Sequence, residues 1–143
     1  MALPTPEPGL VLNYAYLWHD EHRAGQEEGL KDRPSVIVLC VTREQDQAQV
    51  VTVLPITHAA PRDATSAIEI PRAIKAHLRL DDARSWIVVA EGNDFIWPGY
   101  DLRKVLTSDD YAYGFLPPRF FAQIVDAVTT LYKKAKIKIA TRE

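Results

Sequence analysis

The sequence predicts a mainly β domain with some α: a small, strongly bent sheet or barrel of antiparallel strands, closed by a C-terminal helix. Three observations carry this. Five or six short runs rich in Val, Ile, Leu and aromatics are separated by turn residues. A clear helical apolar stripe is confined to the region after Pro118. Strands also do not alternate with long helical patterns, as a parallel α/β sheet would require. At 143 residues the chain reads as a single domain, 1–143, long enough to bury a core.

Residues 1–8, MALPTPEP, are proline-rich and read as an extended tail. GLVLNYAYLW, residues 9–18, is dense in Val, Tyr, Leu and Trp and reads as the first strand. HDEHRAGQEEGLK, residues 19–31, is polar with glycines at 25 and 29, the composition of a long functional loop. Next come two β-branched runs, Ser35 to Val41 entered through Pro34 and Val50 to Leu54 leaving through Pro55. The polar REQDQAQ between them suits an antiparallel hairpin. A hairpin brings the start of its first strand beside the end of its second, so Arg33 and Thr57 become neighbours. A guanidinium and a hydroxyl on adjacent strand ends suit a phosphate.

Further along, Ala67 to Ile70 reads as a short alternating strand, and Arg72 to Leu80 as a short helix closed by Asp81-Asp82. SWIVVA, residues 85–90, reads as a buried strand, with Asp94 to Trp97 continuing the sheet past a Gly92-Asn93 turn. Residues 100–116 read as irregular. Phe120, Phe121, Ile124, Val125, Val128, Leu131 and Tyr132 then recur at three- and four-residue intervals. Pro117-Pro118 opens that helix, because proline suits a first turn, and it is placed at 118–135.

Composition narrows the function classes. No apolar run approaches the roughly 20 residues of a spanning helix, and MALPTPEPG has neither the basic start nor the apolar core of a signal peptide. The expectation is a cytoplasmic protein without membrane association. The single cysteine, Cys40, sits in a strand and reads as a small buried hydrophobe. No His, Cys or carboxylate set has metal-ligand spacing, so neither metal nor cofactor is expected. The whole chain has net charge −2, yet residues 119–143 carry six basic residues against Asp126 and Glu143, a net of +4. That cluster reads as a solvated helix end favoured by the helix dipole.

KDRPSVIVL, then VTVLPIT, then an alternating strand resembles the MazF/PemK/Kid toxins of type II toxin–antitoxin systems. Arg33-Pro34 and Pro55-Ile56-Thr57 stand where that family has its arginine–proline strand start and its proline–threonine strand end. SWIVVAEGNDFIW resembles a later family strand, and the likeness runs over residues 9–135 in element order. It implies an SH3-like barrel of the MazF/CcdB type and a homodimer. It implies a metal-independent endoribonuclease, an mRNA interferase cutting single-stranded RNA through attack of the ribose 2′-OH to 2′,3′-cyclic phosphate and 5′-OH ends. It also implies a cognate antitoxin, with which such toxins bind DNA. The catalytic arginine and threonine of the family fall on Arg33 and Thr57.

The chemistry fits those residue types. Charge accumulates on phosphate oxygens in the transition state, and a guanidinium meets it with a two-pronged contact. Losing one such donor costs about 2.7–4 kcal/mol, whereas an exposed ion pair contributes only about 0–1 kcal/mol. His58, next to Thr57, is the candidate proton carrier; an extended chain would point it away from Thr57, so the strand must turn there. His19, Arg23 and Lys31 on the long loop, and Trp97 as a base-stacking aromatic, are the RNA-binding candidates. Loop 19–33 nevertheless carries net −2, which favours a competing reading: a non-catalytic protein-interaction module on the same barrel.

Overall fold

The computed structural model describes residues 3–19, 32–105 and 110–142. Among these residues the chain forms β1 (Leu10–Tyr14), β2 (Arg33–Thr42), β3 (Gln49–Thr57), β4 (Ala67–Glu69), α1 (Arg72–His77), β5 (Trp86–Val88), β6 (Glu91–Ile96), β7 (Ala112–Phe115), α2 (Pro118–Lys133) and β8 (Lys138–Thr141). The strands make one mainly antiparallel sheet in the order β4-β5-β3-β2-β1-β7, with β6 also on β3 and β8 parallel to β6. The architecture is α+β. The barrel expected from the sequence is not closed among the described residues, because β4 and β7 end the path without pairing with each other.

The β2–β3 hairpin is the axis of this sheet. Its register runs from Thr42↔Gln49 to Ser35↔Pro55, with a bulge between Ile37 and Leu39. The far edge of β3 is shared: Val50 to Val53 pair with β6, and Ile56 and Thr57 pair with β5. Strand alternation then divides the apolar residues between two cores. Val36, Leu54, Ile56 and Ile87 pack under the helices against Leu78, Phe120, Ile124 and Leu131. Ile37, Val51, Val53 and Phe95 face the other way and pack with Leu12, Tyr14, Tyr16 and Leu102. Both faces are covered along much of the sheet, which is why β1 is buried at every position.

Several expectations need correction. The first strand stops at Tyr14 instead of reaching Trp18. Beyond it, the Ala15 N–H donates to Asp101 O and Leu17 is gripped at both backbone groups by Asn93, so this segment leaves the ladder without orphaning its polar groups. Gly92-Asn93 is not a turn but lies inside β6. A Cβ at Gly92 would sit 2.8 Å from Val53 O, so the glycine serves close strand approach. Residues 100–116 are not all irregular, since β7 lies among them, and β8 was not foreseen. α1 is shorter than its expected span, and α2 ends at Lys133, where Ala135 adopts φ 56° and the Lys136 N–H closes on Leu131 O. Val125 and Tyr132 are exposed, so the α2 stripe is narrower than its sequence period implied. Cys40 is only half-buried. Arg142, counted with the basic cluster, is buried and ion-paired to Asp101 at 2.8 Å. Among the described residues no helix is long and apolar enough to cross a membrane.

Candidate functional site

The site is built where β2 begins and β3 ends. Ser35 lies directly opposite Pro55, and Arg33 and Thr57 lie two residues further out on their strands, on the same face by alternation. Arg33 is itself opposite Tyr14, a residue of the Tyr16–Phe95 core, which identifies the face. The two strands splay here, since Thr57 takes Trp86 of β5 as its ladder partner. A splayed hairpin end leaves a half-buried arginine and a half-buried threonine at the rim of the sheet.

The segment after β1 crosses over this rim. Trp18 lies under the Arg33 guanidinium, 4.9 Å from ring centroid to Cζ, a cation–π contact that orients a side chain otherwise rich in rotamers. Tyr16 donates its hydroxyl to Glu91 Oε1 at 3.0 Å, and the His19 backbone N–H donates to the same oxygen at 3.0 Å. Glu91 opens β6 and alternates with Asn93 and Phe95, so it belongs to the Arg33 face. Burial pushes the Tyr16 phenol well above its ordinary range, and the Glu91 charge adds to this while Arg33 opposes it. Tyr16 therefore stays a neutral donor. Parallel pairing of β8 with β6 sets Lys138 beside Glu91, so the basic tail reaches this rim.

Thr57 ends its strand in a bend. Its Oγ1 accepts the Ala59 N–H at 3.2 Å, which leaves the hydroxyl proton to donate outward. His58, inside that bend, places Nε2 2.8 Å from Asp81 Oδ2. Asp81 Oδ1 accepts from Lys75 Nζ at 2.8 Å, and the buried Lys75 also donates to Ser85 Oγ at 2.8 Å and to Ala83 O. Burial alone would raise the Asp81 carboxyl, but the Lys75 hydrogen bond together with the His58 and Lys75 charges outweighs it and holds Asp81 below the usual carboxylate range. Asp32 turns to Arg103, 3.6 Å away. A cleft of about 640 Å³ beside α1 is bordered by Lys75, Asp81 and Arg84, not by Arg33 or Thr57.

The sequence candidates are thus distributed unevenly. Arg33 and Thr57 each lie two residues beyond the Ser35–Pro55 pair, at the splayed end of the hairpin. His58 follows them in the chain but is tied to the α1 side through Asp81. The His19 backbone reaches Glu91. Trp97 packs on Phe95, with centroids 6.1 Å apart, and its N–H donates to Gln49 O at the opposite end of β3. At ~3.3 Å per residue that is about 26 Å along the strand from Thr57. Arg23 and Lys31 lie outside the described residues. Sequence reasoning missed Glu91 and Lys138. Glu91 carried a faint signal as a carboxylate at the head of a buried apolar strand, whereas Lys138 was hidden by a β8 that resembled a helix end. Among the described residues no three His, Cys, Asp or Glu side chains gather as a metal-ligand set.

No protein-family model, curated protein or solved structure matches the chain.

Proposed function

We propose that this protein is a metal-independent endoribonuclease of single-stranded RNA, with Arg33 and Thr57 as its transition-state donors. The observation that supports the reading is the β2–β3 register, which pairs Ser35 with Pro55 and, continued two residues along each strand, directs Arg33 and Thr57 to one face. The resemblance to MazF/PemK/Kid toxins extends the proposal to an SH3-like type of fold, to a homodimer, to inhibition by a cognate antitoxin, and to a cytoplasmic site of action.

The reaction follows from the residues. The ribose 2′-oxygen forms a bond to phosphorus and the bond from phosphorus to the 5′-oxygen breaks, giving a cyclic phosphate. Arg33 and Thr57 donate to the non-bridging oxygens as their charge rises. Glu91 is the carboxylate on this face and accepts the 2′ proton. The departing 5′-oxygen keeps the electron pair of its broken bond and takes a proton from water, whose hydroxide then collects the proton held on Glu91.

The test is to incubate the purified protein with single-stranded RNA in excess chelator and map the ends produced. Wild type is expected to leave cyclic phosphate and 5′-OH ends, and Arg33→Ala to lose about a hundredfold or more in rate while staying folded. Equal cleavage by wild type, Arg33→Ala and Thr57→Ala would overturn the assignment.

One observation favours a second reading, the non-catalytic interaction module. Val41, Val50 and Ile96 stand directly opposite one another across β2, β3 and β6, and exposed Leu39, Val41 and Ile96 with half-buried Val50 make an aliphatic row. Stable capture of a small protein partner, with no RNA cleavage at any pH, would establish it in place of the nuclease.

A further inference from the structure

The charged group that the His58 ring meets is Asp81. Asp81 on the loop after α1 meets its Nε2, Lys75 of α1 meets the other oxygen of Asp81, and Tyr113 of β7 has its phenol raised by burial and then by the Asp32 and Asp81 charges. An ionised Asp81 can only accept, so Nε2 carries the proton and donates. That ring nitrogen is therefore committed to the α1 side. The backbone of the same residue sits between the Thr57 hydroxyl and the Ala59 N–H that the hydroxyl accepts. Holding the His58 side chain fixes the bend, and the bend fixes the Thr57 rotamer.

We infer that His58 is a positioning residue that acts through Thr57, as the outer link of a Lys75–Asp81–His58 chain bracing the end of β3, and is not the proton carrier. Lys75 is the anchor of the chain. Its ammonium is buried and takes Asp81, Ala83 O and Ser85 together, which ties the 81–85 loop to α1. Asp81 projects from that loop to the strand end. His58 and Asp81 are both more than half exposed, so their pairing adds little to stability and acts through geometry. This inference rests on the nuclease reading above.

The discriminating substitution is His58→Gln. A glutamine amide places its N–H near the position of the imidazole Nε2, so it can keep the Asp81 contact, but it does not titrate near neutral pH. With single-stranded RNA and excess chelator, His58→Gln is expected to stay within about threefold of wild type in kcat, with an unchanged pH profile. His58→Ala and Asp81→Ala are each expected to lower kcat about ten- to hundredfold with KM little changed, since misplacing a reacting group by about 1 Å costs about that much. The double variant should be no worse than either single one, because both break the same chain.

His58→Gln as inactive as His58→Ala, or a limb of the pH profile lost in His58→Gln, would make His58 a proton carrier and overturn the inference. Wild-type kcat in His58→Ala, or additive losses in the double variant, would overturn it as well. In each of these cases loss of activity in Arg33→Ala leaves the nuclease reading standing. If wild type itself does not cleave, both fall.

Discussion

Glu91 accepts a phenol and a backbone N–H on one oxygen and stands on the same sheet face as Arg33, an arrangement that fixes the position of the carboxylate. General-base catalysis contributes about a hundred- to ten-thousandfold. Glu91→Gln keeps an acceptor for Tyr16 and His19 and removes the charge and basicity of the carboxylate. It is expected to lower kcat on single-stranded RNA about a hundredfold with little change in melting temperature, read by single-turnover cleavage beside thermal unfolding. Full activity in Glu91→Gln would remove Glu91 from the chemistry. Asp81 gives a prediction on stability. Its folded-state affinity for protons is depressed, so its stabilising contribution is complete above the unfolded carboxyl range and fades as pH falls through the folded value. Urea titrations between pH 6 and about pH 3 should therefore show Asp81→Asn losing less stability on acidification than wild type. An identical acid limb in the two proteins would show that the contact with buried Lys75 does not hold in solution.

Elements whose apolar period matched their burial were legible, and those stabilised by distant side chains were not. The β2–β3 pairing followed from two β-branched runs and a polar connection, and α2 from its stripe. The end of β1 could not, because nothing near Tyr14 signals that Asn93 and Asp101, some 80 residues away, will satisfy the backbone of Ala15 and Leu17. β8 was obscured for a related reason. Its one lysine, Lys138, is exposed, and besides the β6 ladder it is held through the next residue, Arg142, which donates to Ala15 O at 3.0 Å and Asn93 Oδ1 at 3.2 Å and pairs with Asp101. Glu91 was overlooked because its partners, Tyr16 and His19, come from the far end of the chain. The Arg142 network makes its own prediction. Removing one partner of a buried ion pair costs about 3–5 kcal/mol, so Arg142→Ala should lower stability by about that amount in urea unfolding. Arg142→Ala within 1 kcal/mol of wild type, a loss no larger than ~1 kcal/mol for an exposed pair, would mean that water replaces the guanidinium and the network is not a closure.

Charge is divided across the molecule, and the fold decides where the halves meet. Residues 119–143 net +4 while the remainder nets −6, a split that by itself describes only a basic tail on an acidic domain. The parallel pairing of β8 with β6 brings that tail back to the hairpin rim, with Lys138 in register with Glu91. Lys138 is exposed, and on the proposed nuclease reading it is available to a phosphate of an RNA strand bound at Arg33 and Thr57. It would then contribute to holding the strand equally before and during reaction, which appears in KM and not in kcat. Each phosphate neutralised on a single strand adds about 0.7 to the slope of log affinity against log salt. Lys138→Gln is therefore expected to raise KM severalfold at low salt, to leave kcat unchanged and to shallow the salt dependence of RNA binding by about 0.7. Lys134→Gln, on the turn after α2 and away from the β6 register, should change the slope much less. Equal effects from the two substitutions would show a diffuse field in place of a specific phosphate contact, and the RNA path would then have to leave the rim by another route than β8.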